Sequence, residues 1–359
     1  MTTQMFYPHF SITPKMTKFV EAIGATIGYL QAVRIPENYR KELVSKITAE
    51  IVHTSTAIEG NTLTAQQVFD ALNGKKIYGQ AVDIKEIINY NDALTYIETL
   101  VQSRISEMPA LEITEQMIQE INAILMRGIR DEIAGKYRIK QVIVGDYLPP
   151  EHYKVRQLMG EFVAWLNNPQ PPELSPILYT GIAHYQLVGI HPFEDGNGRT
   201  TRILTTLLLL RYGYRVTSFF ALESYYNRDR RAYYVALASA DQYRIDGKPD
   251  LTRWLEYYVE GLLIEAEQAR ARIDELLTRQ PYREQPLPLN DLQLQLLRLT
   301  YEKGQARSTD FAKISTLSRK GTYNAVQKLI QWELLQRVGK QKNSYYVMTE
   351  KGRNLLLAD

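Results

Sequence analysis

The stretch IHPFEDGNGRTTRI, Ile190 to Ile203, gathers a histidine, an aspartate, an asparagine, two glycines and two arginines just ahead of an apolar run. Gly196 and Gly198 flank Asn197, and glycine lets successive backbone N–H groups converge on an anion without interference from Cβ. Helical sequence is expected from about Arg199, so the amides of Asn197, Gly198 and Arg199 lie at a helix N-terminus, an anion-binding position. Arg199 and Arg202 are three apart and neighbours on one helical face. Two guanidiniums beside such a nest suit a polyphosphate. Asp195 is a hard oxygen ligand at the rim, suited to Mg²⁺ bridging phosphates. His191 has the unperturbed pKa of a general base near neutrality. The stretch has no Lys-Ser/Thr after its glycines, so it is not a Walker A loop.

Outward from this point most of the chain reads as helix. NYRKELVSKITAEIVHTSTAIEG places Ile47, Ile51 and Ile58 near one face, with Glu59 at its end and Gly60 as the stop. TAQQVFDAL follows, with Thr64 and Gln67 in capping-box spacing. VDIKEIINYNDALTYIETLV and TEQMIQEINAILMRGI are further amphipathic helices, the second capped by Thr114. GKYRIKQVIVGDYLPPEHYKV instead alternates apolar and polar residues and turns at Gly145-Asp146, which predicts a short β-hairpin or flap. VRQLMGEFVAWLNN and ILYTGIAHYQLVGIHPF are two more helices, the latter running into the opening stretch.

The prolines of TRQPYREQPLPLN mark a linker over 278–289. Beyond it, three short helices and LQRVGKQKNSYYVMT, two strands around a basic turn, give the pattern of a winged helix-turn-helix over 290–359. Asn290 to Asp359 holds 12 Lys/Arg and 6 Asp/Glu, a balance of +6 in a chain whose total is +3. Arg319, Lys320 and Lys328 on the third helix, with Lys340 and Lys342 on the wing, are available to DNA phosphates. Protein docking or dimerisation is the alternative use of such a module.

The 359 residues suffice for two or three domains, and the absence of cysteine excludes disulfides and thiolate metal sites. The longest apolar run, Ile203 to Leu210, is too short to span a bilayer. MTTQMFYPHFSITPKM has no basic segment followed by an apolar one, so a cytoplasmic protein is expected, with no membrane partner.

The opening stretch resembles the Fic family signature HPFx(D/E)GNGRxxR, matching at His191, Pro192, Phe193, Asp195, Gly196, Asn197, Gly198, Arg199 and Arg202. The likeness runs from about Phe6 to about Gly261. It implies a mainly α fold: a Fic-type helical bundle with a flap, comprising an N-terminal region over 1–105 and a catalytic domain over 106–277. It also implies protein AMPylation, in which AMP passes from ATP to a Ser, Thr or Tyr hydroxyl and pyrophosphate leaves. His191 would take the hydroxyl proton and Asp195 would hold Mg²⁺ against the α- and β-phosphates. The turn from Gly196 through Thr200 would cradle phosphates, and Arg199 with Arg202 would hold the β- and γ-phosphates. Val144 and Gly145 of the flap would border the nucleotide, while Val142 to Tyr147 would clamp a target segment by strand addition. Tyr233 and Tyr234 match adenine-side tyrosines, and Asp241 stands where the family often has Asn.

Ser55 to Gly60, STAIEG, resembles the family's inhibitory motif (S/T)xxxE(G/N), on a helix over about 41–60. A Glu59 carboxylate on Arg202 takes the guanidinium that should hold the γ-phosphate and puts negative charge where phosphate must sit. Homodimerisation is implied by the resemblance alone. The competing readings are a DNA-binding regulator whose nucleotide site is a sensor, and transfer of a different phosphate-containing group.

Overall fold

The structure is a computed structural model that describes residues 6–103, 111–169, 171–214, 221–240, 250–279, 289–339 and 344–357. Asp241, Lys340, Lys342 and most of the expected linker lie outside these residues. The chain divides into two compact units, Met1–Leu276 and Leu277–Asp359. The expected N-terminal region and catalytic domain both fall within the first.

The first unit is helical: α1 (Pro14–Ala32), α2 (Glu37–Ile58), α3 (Ala65–Leu72), α4 (Ala81–Ser103), α5 (Glu115–Met126), α6 (Val155–Asn167), α7 (Pro176–Ile190), α8 (Asn197–Arg211), α9 (Leu222–Arg228), α10 (Arg230–Ala238) and α11 (Thr252–Arg279). Local chemistry sets several of these ends. Thr64 and Gln67 form a reciprocal capping box on α3, and the Thr114 hydroxyl caps α5. Gly60, at φ 101°, follows Glu59, the C-cap of α2, in a conformation that residues other than glycine resist.

At the centre, α7 and α8 pack on one another, and α8 also contacts α5, α4 and α2. The helix α7 is buried on nearly every face, so it has no polar side to display. Trp165 of α6 stacks on Tyr179 of α7 at 5.1 Å, and Trp254 of α11 donates to the Gly181 carbonyl at 2.8 Å. These contacts fix the N-terminal half of α7 in the core.

The predicted flap is shorter than its alternation suggests. Its internal pairing is one antiparallel bridge, Val144 with Tyr147, closed by hydrogen bonds of 3.0 and 2.9 Å around Gly145 at φ 56°, while Tyr137 bridges to Phe193 instead. Side chains anchor the rest. Tyr147 donates to the Gly189 carbonyl at 2.6 Å, and the Arg138 guanidinium donates to the carbonyls of Lys140 and Pro150.

The second unit comprises α12 (Asp291–Lys303), α13 (Ser308–Ile314), α14 (Arg319–Gln331), β1 (Leu335–Val338), β2 (Tyr345–Met348) and α15 (Glu350–Leu357). The strands pair antiparallel, Leu335 opposite Met348. Leu296, Leu297, Phe311, Val326, Leu329 and Tyr346 form the core.

Candidate active site

The opening stretch is a tight corner between α7 and α8. His191 caps α7 in the left-handed region, φ 51°, ψ 59°. Pro192 then prevents the helix from continuing. A non-glycine residue there costs of order 1–3 kcal/mol and persists only where its surroundings enforce it. Here the His191 N–H donates to Leu187 at 3.1 Å, and the guanidinium of buried Arg138 donates to the His191 carbonyl at 2.8 Å. The turn is closed by Asn197, whose side chain accepts from the Phe193 N–H and donates to the Phe193 carbonyl, both at 2.9 Å. Buried Asn122 of α5 donates to the Asp195 carbonyl at 3.0 Å and accepts from the Gly135 N–H. Gly196 sits at φ 77°, where a Cβ would press on Asn122 and Met126. The helix α8 begins at Asn197, two residues earlier than its sequence suggests, so Gly198 and Arg199 lie in its first turn.

The His191 ring lies within reach of the Val188 carbonyl through Nδ1, at 3.3 Å. That contact favours a proton on Nδ1 and a lone pair on Nε2. Burial, assisted by the Arg138 charge, lowers its pKa to about 4, so the ring is neutral at pH 7. This is the protonation state of a base.

A cavity of about 630 Å³ opens beside the corner. His191, Gly198 and Arg202 line it, together with Val144 and Gly145 of the flap, Tyr233 and Tyr234 of α10, and Glu59. The structure thus assembles residues spread over the first unit into one concavity. The other expected residues surround it differently. The Asp195 side chain is 39% exposed, accepts from Arg199 at 3.2 Å and does not line the cavity. Thr200 is fully buried and accepts from Asn122 at 3.3 Å. Arg199 is buried and pairs with Glu86 of α4 at 2.8 Å as well as with Asp195. It does not line the cavity.

Arg202 is also buried, and its partners come from α2. Its Nε donates to the Ser55 hydroxyl at 2.6 Å, and one Nη donates both to the Ser55 carbonyl at 3.0 Å and to Glu59 Oε1 at 2.8 Å. A Cβ at position 198 would collide with that same Oε1, so the carboxylate lies against the first turn of α8. Burial pushes the Glu59 carboxyl upward, but the Arg202 charge and hydrogen bond, together with the Arg199 charge, outweigh it and hold the pKa below the ordinary value. Glu59 is therefore an anion resting on a helix N-terminus and a guanidinium, as a phosphate would.

Tyr233 is a buried pillar. Its ring stacks on Tyr226 at 4.5 Å and its hydroxyl lies 2.9 Å from Nε2 of His184, whose Nδ1 meets Thr205 at 3.0 Å. Tyr234 is about half exposed along the cavity wall. Burial lowers the His184 pKa to about 3. A histidine depressed from its unfolded value of about 6.5 contributes stability above that pH and withdraws it as pH falls toward the folded value. His184 alone is expected to remove about 1.4 kcal/mol per pH unit between roughly pH 6 and 3. Thermal unfolding of wild type and His184→Gln across that range checks this: the variant should show the shallower acid slope.

Sequence reasoning did not single out Arg138, Asn122 or Glu86. Asn122 carried a signal, a polar residue within the apolar stripe of QEINAILM. Glu86 carried none, because its partner lies 113 positions away.

Residues 112–209 match the family model described as the Fic/DOC family. The chain is 39% identical over 163 residues to "Protein adenylyltransferase Fic" of Drosophila grimshawi, covering 45% of this chain and 33% of that protein. It is 37% identical over 195 residues to the Drosophila sechellia protein of the same name, covering 54% and 39%. The chain thus spans a third to two fifths of the length of these curated relatives. Among solved structures, a Fic family protein from Desulfovibrio desulfuricans superposes over 97% of this chain and 99% of its own, with TM-score 0.62 and 26% identity. A Fic domain containing signaling protein from Bacteroides thetaiotaomicron covers 70% of this chain and 96% of its own, with TM-score 0.58 and 25% identity. The glycine-rich corner built around His191 falls inside residues 112–209, the stretch that matches the Fic/DOC family.

Proposed function

We propose that the protein is an autoinhibited adenylyltransferase that transfers AMP from ATP to Ser, Thr or Tyr hydroxyls of a protein, itself included. The observation that carries this reading is the convergence of a neutral His191, the α8 N-terminus and Arg202 on one cavity, with the Glu59 carboxylate in the place of a phosphate. In this reading His191 Nε2 accepts the proton of the target hydroxyl as its oxygen attacks the α-phosphate. The α8 amides and Arg202 bind the leaving pyrophosphate; a preorganised donor of this kind is worth about 10²–10³ in rate. The flap, Val142 to Tyr147, presents backbone for pairing with a target segment.

Mg²⁺ would be held through Asp195, whose carboxylate is 39% exposed. Magnesium commonly binds through one or two carboxylates plus substrate phosphates, so a single aspartate suffices, and the ion would neutralise phosphate charge. Among the described residues no cluster of three His, Asp or Glu forms a protein-only metal cage. Homodimerisation and a cytoplasmic setting belong to the same reading, and no described helix is long and apolar enough to cross a membrane.

The test is to incubate the Glu59→Gly variant with ATP, UTP and GTP separately and weigh the intact protein. A mass gain of AMP from ATP alone supports the reading. No adduct, or transfer of a different phosphate-containing group, replaces it.

A second reading concerns Leu277–Asp359, which we take as a winged helix with α14 as its recognition helix. The favouring observation is the exposed face of α14, where Lys320, Tyr323, Asn324, Lys328 and Gln331 stand on a helix without an acidic residue. Cations of this kind neutralise phosphates, and Asn reads adenine edges. The full-length protein is expected to bind duplex DNA with an affinity that falls as salt rises, and Lys320→Glu/Lys328→Glu should abolish it. Binding that persists in the double variant, or none at low salt, leaves protein docking as the use of this face.

A further inference from the structure

Arg199 and Arg202 of α8 are both tied to the end of α2, one through α4 and one directly. Arg202 meets Ser55 and Glu59. Arg199 donates to Oε1 of Glu86 at 2.8 Å, and the other oxygen of that carboxylate, Oε2, accepts from the Asn61 side chain at 2.9 Å. Asn61 stands two residues beyond Glu59. One carboxylate of α4 therefore joins the turn that carries Glu59 to the first turn of α8.

The turn is built to pass that anchorage on. Helix ends fray, so a side chain on a C-cap residue keeps its place only where the chain beyond it is pinned. Glu59 is the C-cap of α2. The Gly60 N–H donates to the Ala57 carbonyl at 3.0 Å and the Asn61 N–H to the Thr56 carbonyl at 3.1 Å, which is the Schellman pattern with Gly60 at positive φ. Asn61 closes this pattern and is also the residue that reaches α4. Its Nδ2 donates to the Asp83 carbonyl at 3.0 Å as well as to Glu86, and its Oδ1 accepts from the Leu63 N–H at 3.1 Å. The site asks one short side chain for donors toward α4 and an acceptor toward its own chain, and an asparagine amide supplies both. Beside it the Thr62 N–H and hydroxyl donate to the buried Asp83 carboxylate.

We propose that Asn61 is a positioning residue for the inhibitory carboxylate: through Glu86 and Asp83 it pins the end of α2 to α4, and that anchorage seats Glu59 on Arg202. The assignment rests on the inhibitory reading of Glu59. Arg199 then holds the far side of the brace instead of lining the cavity. Glu86 is the poorer residue to change, because the Arg199 charge also reaches Glu59 and would lose a partner. Asn61 is uncharged and lies outside the cavity wall, so its loss spares the groups that would handle the nucleotide.

The test measures AMP transfer from α-phosphate-labelled ATP in four full-length proteins: wild type, Asn61→Ala, Glu59→Gly and the double variant. Asn61→Ala removes a hydrogen bond to a carboxylate and is expected to raise transfer about tenfold where Glu59 is present. Where Glu59 is glycine the turn has nothing to seat, and the change should be less than about twofold. Asn61→Asp sets a second carboxylate against Glu86 and should raise transfer further than alanine in the presence of Glu59. Amide exchange at Gly60 and Asn61, whose N–H groups close the turn, should quicken in both variants. A loss of transfer in both backgrounds makes Asn61 a structural residue only and overturns the assignment. So does an equal gain in both backgrounds, or no gain beside Glu59 when Glu59→Gly shows its own. If Glu59→Gly shows no gain over wild type, the inhibitory reading fails and this assignment falls with it.

Discussion

Replacing Glu59 by glycine is expected to raise AMP transfer on the order of 10²-fold. The energy at stake is that of a charge-assisted contact with a buried guanidinium, about 2–3 kcal/mol, and each 1.4 kcal/mol is a factor of ten in an equilibrium. In the proposed reading Glu59 competes with phosphate twice over, because it occupies Arg202 and lies against the first turn of α8. Its pKa is held below the ordinary carboxyl value, so acidification to pH 5 will not release it. Glu59→Gln separates charge from bulk: it keeps the shape and removes the anion, and should give an intermediate gain. Ser55→Ala removes the 2.6 Å bond to Arg202 while leaving the carboxylate in place, and should raise activity by less than either. The readout is incorporation of label from α-phosphate-labelled ATP into the protein at matched concentrations. Equal labelling of wild type and Glu59→Gly would falsify the inhibitory role.

Changing His191 to alanine in the Glu59→Gly background should lower transfer by about 10²–10⁴, the usual contribution of a positioned base. ATP affinity, measured by calorimetry, should stay close to that of the parent, because in the proposed reading α8 and Arg202 hold the phosphate groups. Transfer that survives the change would assign proton removal elsewhere. The pH profile adds a separate check. With its pKa lowered to about 4, His191 is already deprotonated at neutral pH and loses its lone pair only as pH falls through that value. The acid limb of the rate set by this residue should therefore lie near pH 4, well below the unperturbed histidine value of about 6.5. A limb at 6.5 would mean that the ring is solvated in the working enzyme.

The corner from Ile190 to Ile203 was legible because its chemistry is contiguous. Glycine spacing, a helix start and two arginines three apart are local facts, and local geometry follows from them. The caps at Thr64 and Thr114 were legible for the same reason. The flap was less so, since alternation over Lys136 to Val155 predicts a ladder, whereas Arg138 and Tyr147 satisfy its backbone surroundings through side chains. Arg199 and Arg202 show where local reading stops. Two arginines three positions apart on one helix look equivalent in sequence, yet they point about 60° apart. One meets Glu86 on α4 and the other meets Ser55 on α2.

The sequence by itself determined the helical class, the glycine-rich turn at the start of α8 and the residue types gathered there. Through the likeness of STAIEG, it also nominated Glu59 as the guard. Only the tertiary structure decided which arginine faces the cavity, and that Glu59 lies on Arg202 from 143 positions away. These depend on how whole helices cross, and a crossing is set by burial summed over many side chains. No spacing within a single segment can encode it.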